Sequence, residues 1–153
     1  TDLDQIIYDS VIIKNKIVFK DTTEQNIRKY LNFGHTLGHA IESFYLTHPE
    51  KPTLLHGEAI AIGMIMEAYI SVELLTLTAN ELAEVTKVLL ATFPKVDIDA
   101  NDHKAIMDLL VHDKKNESGN IYFVLLNTIG DAKFNCIVSD ELIVKAFEYY
   151  KSV

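Results

Sequence analysis

The chain has 153 residues, a formal net charge of −8, 48% hydrophobic residues and 24% charged ones, a composition that excludes a disordered tail or a collagen-like repeat and leaves room for one domain with its own core. The acidic balance excludes a broad basic surface for phosphate backbones, so no nucleic-acid partner is expected and any bound anion must be gripped by a few placed cations. A lone cysteine, Cys136, cannot close an intrachain disulfide and no charged-then-apolar leader opens the chain, so the expected setting is a reducing cytoplasm.

In the opening segment LDQIIYDSVIIKNKIVF, Leu3, Ile6, Ile7, Ile13 and Ile17 recur at mixed helical spacings and predict a helix, although β-branched residues weaken the pattern. Asp21 and Glu24 stand three apart at the head of DTTEQNIRKYLNFGHT, the spacing of a capping box, and predict a short helix leading into the histidine segment. The helical pattern from Gly38 to Tyr45 is broken by Pro49 and Pro52, in a loop where His48 is expected to face solvent. The apolar run from Ala59 to Leu75 has nearly the length of a membrane span, but Glu67 and Glu73 interrupt it. It reads as a central helix enclosed by others, with no membrane partner.

Thr78 and Glu81 repeat the capping-box spacing before a helix whose stripe of Leu82, Val85 and Leu89 ends at Pro94. A further helix is expected over Asp102 to His112, with Ile106, Leu109 and Leu110 on one side. After the polar turn DKKNESGN, the runs IYFVLL and KFNCIV flank Gly130 and Asp131 and predict a β-hairpin, with Cys136 as a packing residue and not a nucleophile. Ser139 is a natural N-cap for a last helix carrying Leu142, Val144, Ala146 and Phe147. The fold class is mainly α, a helical bundle with one small β-hairpin, read as a single domain over 1–153. Such a bundle hosts many functions, so function must be argued from the site.

Three of the six histidines, His35, His39 and His56, fall in RKYLNFGHTLGHAIESFY and LLHGEAIAIGM. His35 and His39 are four apart and project from one helix face, so spacing alone pairs them on one ion. Thr36 stands where the H-E-x-x-H motif needs its glutamate, which removes the metalloprotease reading. Neutral imidazole is a good zinc ligand, and a catalytic zinc takes three protein ligands plus an open position; Glu42 and Glu58 are the nearest carboxylates. A lone histidine is more often a satisfied core or helix-end residue, but three among glycines weigh against that. Arg28 and Asn32 add a cation and an amide suited to an anionic ligand, whereas Lys29 reads as a solvated helix face.

The string R-x-x-x-N-F-G-H-T-x-G-H-A-I-E, Arg28 to Glu42, followed by L-H-G-E-A-I-A-I-G-M, Leu55 to Met64, resembles the C-terminal helical domain of 3-dehydroquinate synthase. IKNKIVFKD, with Lys14 fourteen residues before Arg28, and DKKNESGNIYFVLLNTIG, with its lysine pair, extend the resemblance from about Lys14 to Gly130. It implies His35 and His56 as two of three ligands to Zn2+ or another divalent metal such as Co2+. It further implies His39 and Asn32 on the phosphate side of the substrate, Arg28 and Lys14 at its acidic end, and Lys114 or Lys115 on the phosphate. His39, Lys14, Arg28 and Asn32 would form the catalytic set.

The activity so implied is that of a lyase of the shikimate pathway, in aromatic amino acid biosynthesis. It converts 3-deoxy-D-arabino-heptulosonate 7-phosphate, a small phosphorylated sugar acid, to 3-dehydroquinate and phosphate, with NAD+ transiently oxidising a ring hydroxyl. The glycines of this chain form no G-x-G-x-x-G after a strand. The resemblance implies that NAD+ is bound mainly by an N-terminal α/β domain, expected to be absent here because the chain opens at TDLDQ without an initiator methionine. That absent part would also supply the carboxylate zinc ligand, so the chain alone is expected to be inactive, and the full-length enzyme is expected to be a homodimer. The rival readings are an inosose or valiolone synthase, a polyol dehydrogenase, and a non-catalytic helical interaction module.

Overall fold

The computed structural model describes residues 2–114 and 120–153, the side chains of 112–114 excepted. Its elements are α1 (Leu3–Lys20), a 3₁₀ helix (Ile27–Asn32), α2 (His35–Thr47), α3 (His56–Leu74), α4 (Ala79–Thr92), α5 (Ala100–Lys114), β1 (Phe123–Thr128), β2 (Asp131–Cys136) and α6 (Asp140–Ser152). The mainly helical class with one hairpin is as the sequence predicts, and no described helix is long and apolar enough to cross a membrane.

The apolar run forms α3, which is hydrophobic on every side and so must be enclosed. Packing of α2, α4, α6 and β1 against it does so. Ile62, Ile65, Met66 and Ile70 of α3 share one core with Leu37 and Ile41 of α2, Ile106 and Leu110 of α5, Phe123 and Leu125 of β1, and Phe147 and Tyr150 of α6. Each such fully buried aliphatic side chain contributes roughly 1.5–3 kcal/mol. β1 pairs antiparallel with β2, Leu125 opposite Lys133 and Thr128 opposite Asp131, with Ile129 and Gly130 in the turn. The hairpin is pinned to the helices by polar bonds: the Ser71 hydroxyl accepts from the Leu126 N–H at 2.9 Å, and the Thr36 hydroxyl donates to the Tyr122 carbonyl at 3.1 Å.

α1 forms as predicted but buries none of its residues. Leu3, Ile6, Ile7, Tyr8, Val11, Ile13 and Phe19 are all exposed, Phe19 to 88%. The helix thus presents a long apolar surface of the kind that marks an interaction face.

Two local expectations are corrected. Asp21 and Glu24 make no capping box: the Asp21 carboxylate gathers the N–H groups of Gln25, Asn26 and Arg28 at 3.1, 2.7 and 3.1 Å, closing the loop after α1. Glu24, at φ 57, instead accepts from the Asn32 amide at 2.7 Å. The helix that follows is the short 3₁₀ turn. His48 is half-buried and not solvent-facing, because the loop after α2 folds its ring to 5.1 Å from that of Phe44.

The capping box at α4 does form, and it does more than start a helix. One Glu81 oxygen accepts from the Thr78 N–H and hydroxyl at 2.8 and 2.7 Å, and the other from the Thr128 hydroxyl and the Ile129 N–H, so α4 is tied to the hairpin turn. The Thr128 hydroxyl first, then the Thr78 and Ile129 donors, hold the Glu81 carboxyl down to about 2 from 4.5. A carboxyl depressed in the fold stabilises above its unfolded value and ceases to as pH falls through its folded one. The melting-temperature gap between the native chain and Glu81→Gln is therefore expected to be full at pH 6, to shrink below about 4.5 and to vanish near 2; a gap independent of pH in a thermal-melt series would remove this role.

Candidate metal centre

Gly34, at φ 82, is the N-cap of α2, a left-handed conformation natural to glycine. The two helices cross in opposite directions at van der Waals range. Gly34 lies against Gly63 and Met64, while Gly38 lies against Ala59 and Ile60. A Cβ at Gly63 would overlap the Gly34 carbonyl oxygen and stand 2.7 Å from the Gly38 nitrogen. This close approach brings the inner face of α2 over the first turn of α3.

His35 and His39 of α2 and His56 of α3 meet there. Ring centroids are 5.3 Å apart for His35 and His39, 5.9 Å for His35 and His56, and 5.7 Å for His39 and His56. One ring nitrogen from each lies within 4.8 Å of the others. A divalent ion with ligand nitrogens at about 2.0–2.1 Å reaches such a set after small ring rotations, and three imidazoles suit zinc or cobalt. The donor set fits a metal.

The rings are also oriented. His56 Nδ1 lies 3.0 Å from Glu42 Oε2, and His35 Nδ1 lies 3.2 Å from the Phe33 carbonyl oxygen. A carbonyl or carboxylate oxygen accepts, so Nδ1 carries a proton in both rings, and in the neutral imidazole that leaves the lone pair on Nε2. This is the arrangement by which metal-binding histidines are aimed. Of the two carboxylates flagged in the sequence, Glu42 is thus a partner of a histidine, while Glu58 turns back to accept from the Leu55 N–H at 2.8 Å. His56 is the most open of the three, its side chain 56% exposed.

The other predicted residues are more dispersed. Asn32 lines a cavity of ≈ 420 Å³ together with Glu24, Lys29, Thr36, Tyr122 and Phe134. Arg28 is turned toward the Thr22 carbonyl, 3.1 Å away, and Glu24, 3.5 Å away. Lys14 is exposed on α1, Lys114 closes α5, and Lys115 lies outside the described residues. Lys29 is not a purely solvated residue: its ammonium sits 5.2 Å over the Phe134 ring and 3.5 Å from Asn135 Oδ1. Cys136 closes β2 as a half-buried residue, and burial pushes its thiol up, away from nucleophilic use.

Sequence reasoning overlooked Glu67. It is fully buried in α3, and its carboxylate accepts from the Gly34 and Leu37 N–H groups at 2.7 and 3.1 Å. The available signal was a carboxylate in the middle of an otherwise apolar helix.

The family described as 3-dehydroquinate synthase C-terminal matches residues 1–116. The chain is 39% identical to a 3-dehydroquinate synthase of Parabacteroides distasonis over 97% of its own length and 42% of the relative's, and 39% identical to one of Bacillus pumilus over 93% and 38%. Among solved structures it is similar to a 2-deoxy-scyllo-inosose synthase complexed with carbaglucose-6-phosphate, NAD+ and Co2+, with a TM-score of 0.77 and 27% identity over 96% of this chain and 41% of that one. It is also similar to a 2-epi-5-epi-valiolone synthase from Streptomyces hygroscopicus with NAD+ and Zn2+ bound, with a TM-score of 0.66 and 25% identity over 90% and 37%. The chain thus spans about two fifths of the length of the relatives it matches. A helical bundle with three converging histidines, and a match over most of its length, make the chain a member of the 3-dehydroquinate synthase family, corresponding to the C-terminal part of that enzyme.

Proposed function

We propose that this chain is the metal- and substrate-binding domain of a 3-dehydroquinate synthase that converts 3-deoxy-D-arabino-heptulosonate 7-phosphate to 3-dehydroquinate and phosphate. The observation that carries the reading is the histidine cluster, with one ring nitrogen of each of His35, His39 and His56 within 4.8 Å of the others, and with Nδ1 of His35 and of His56 each facing an acceptor. His35 and His56 would hold Zn2+ or Co2+ with a carboxylate from outside this chain, and NAD+ would be bound by the part of the enzyme that the relatives have and this chain does not span. When bound, the ion supplies a Lewis acid that eases loss of the proton from the substrate hydroxyl to be oxidised.

The chain's own residues bind and orient. His39 faces the same space and would hydrogen-bond the substrate on its phosphate side, with the Asn32 amide beside it. Arg28 would exchange its contacts with Glu24 and Thr22 for a two-bond grip on the substrate carboxylate. Lys14, and Lys114 or Lys115, serve as point charges on its anionic groups. Holding one substrate geometry through successive steps is where such a site gains most of its rate. A second reading, another sugar-phosphate cyclase, draws on the likeness to the inosose and valiolone synthases.

The test is phosphate release with NAD+ and Zn2+ supplied, on this chain alone and on the same chain joined to the N-terminal part of the Parabacteroides distasonis relative. Release from the heptulosonate phosphate by the joined protein only is the expected result. Release by the isolated chain overturns the division of labour, and release from a different sugar phosphate in its place selects the second reading.

A further inference from the structure

We infer that Glu67 is a positioning residue for His35, acting through a single peptide group as Glu42 acts directly on His56; this rests on the metal-site reading above. The peptide joining Phe33 to Gly34 is bonded at both ends. Its N–H donates to Glu67 Oε2 at 2.7 Å, and its carbonyl accepts from His35 Nδ1 at 3.2 Å. Because a peptide unit is a rigid plane, fixing one end fixes the other. Glu67 therefore sets the direction from which the carbonyl meets the imidazole, and with it the aim of Nε2.

The polarity runs the same way. A carboxylate on the N–H polarises the amide so that its carbonyl becomes a stronger acceptor, and bonds in such a chain strengthen one another away from water. Glu67 is 0% exposed, so water does not dilute the effect. Its other oxygen takes the Leu37 N–H at 3.1 Å, so one side chain also serves the first turn of α2, whose N-cap glycine has no side chain to do so. The Gly34 and Leu37 groups are both donors, which selects glutamate over glutamine: an amide would turn an N–H2 group toward one of them. The register follows from the helix. Glu67 lies one turn beyond Gly63, on the face that meets α2.

A merely structural carboxylate would lower stability without changing the ring, and that difference is measurable. The chain, its Glu67→Gln variant and a Ser71→Ala control are titrated with Co2+ and followed by visible absorption, and their histidine ring nitrogens are observed by nitrogen-15 NMR without metal. Ser71 is as buried and bonds to the Glu67 carbonyl and the Leu126 N–H, so its loss weakens the same helix without touching the Phe33–Gly34 peptide. Glu67→Gln is expected to weaken Co2+ binding roughly 10-fold or more, the scale of outer-shell effects, and to convert His35 from one ring tautomer to a mixture. Ser71→Ala should do neither.

Equal Co2+ affinity in Glu67→Gln and the native chain, or an equal loss in Ser71→Ala, overturns the inference. If the native chain alone binds no Co2+, the outside carboxylate is needed to complete the metal site, and the tautomer decides alone: a single His35 tautomer surviving in Glu67→Gln overturns the role of Glu67. If Glu67→Gln does not fold, Glu67→Asp, which keeps the charge and loses reach, carries the same comparison.

Discussion

Zn2+ binding measured by calorimetry is expected to disappear from His35→Ala and from His56→Ala, and to survive in His39→Ala. The first two remove an Nε2 whose lone pair is already aimed, so the loss should exceed the roughly 10–100-fold that follows from removing an outer-shell partner. The pairing is testable because the three rings are near neighbours, with centroids 5.3 to 5.9 Å apart. Mere proximity would make all three substitutions equivalent. Equal losses in all three would mean that this chain holds its ion with three imidazoles. No loss in any would place the bound ion away from this cluster and bring forward a helical module without catalysis.

Gly63→Ala should be the most damaging glycine-to-alanine change among the described helical glycines. The added carbon meets backbone, the Gly34 carbonyl and the Gly38 nitrogen, and backbone in a helix cannot step aside as a side chain tip can. Relief requires α2 to move off α3. Overpacking of a core generally costs about 1–3 kcal/mol, and a clash with backbone belongs at the upper end of that range, about 3 kcal/mol. The same displacement parts His35 and His39 from His56, so metal affinity should fall together with the denaturant midpoint. A variant with native stability and native Zn2+ affinity would show that the crossing has slack.

Much of this was legible in the chain. The alternation of caps and apolar stripes gave α4 and α6 their starts, since Thr78 and Ser139 each do locally what their side chains do anywhere. The enclosed α3 was legible because its apolar residues leave no face for water. The histidines were legible as a group because the glycines around them imply close backbone contact. What escaped the sequence were features decided by how the folded chain bends and crosses. Asp21 looks like a helix start but closes a loop, because the N–H groups that reach it belong to Gln25, Asn26 and Arg28. Glu67 looked like an interruption because its two donors lie some thirty positions earlier in the chain, at Gly34 and Leu37. Spacing along α2 suggested a shared site for His35 and His39, and the structure gathers both with His56 in one cluster, a meeting that spacing within α2 alone does not show.

The three histidines and Glu42, with Glu67 behind them, all belong to two successive antiparallel helices joined by the loop between Thr47 and His56. These contacts span less of the chain than those from α3 to the hairpin and α6, and shorter spans close first. The ligand cluster should accordingly be among the first native features to appear during synthesis or refolding, ahead of the hairpin and α6, which must return from far along the chain to cover α3. An ion captured at that moment would act as a staple on the nascent helix pair, so that metal supply would influence the yield of folded protein as well as its chemistry.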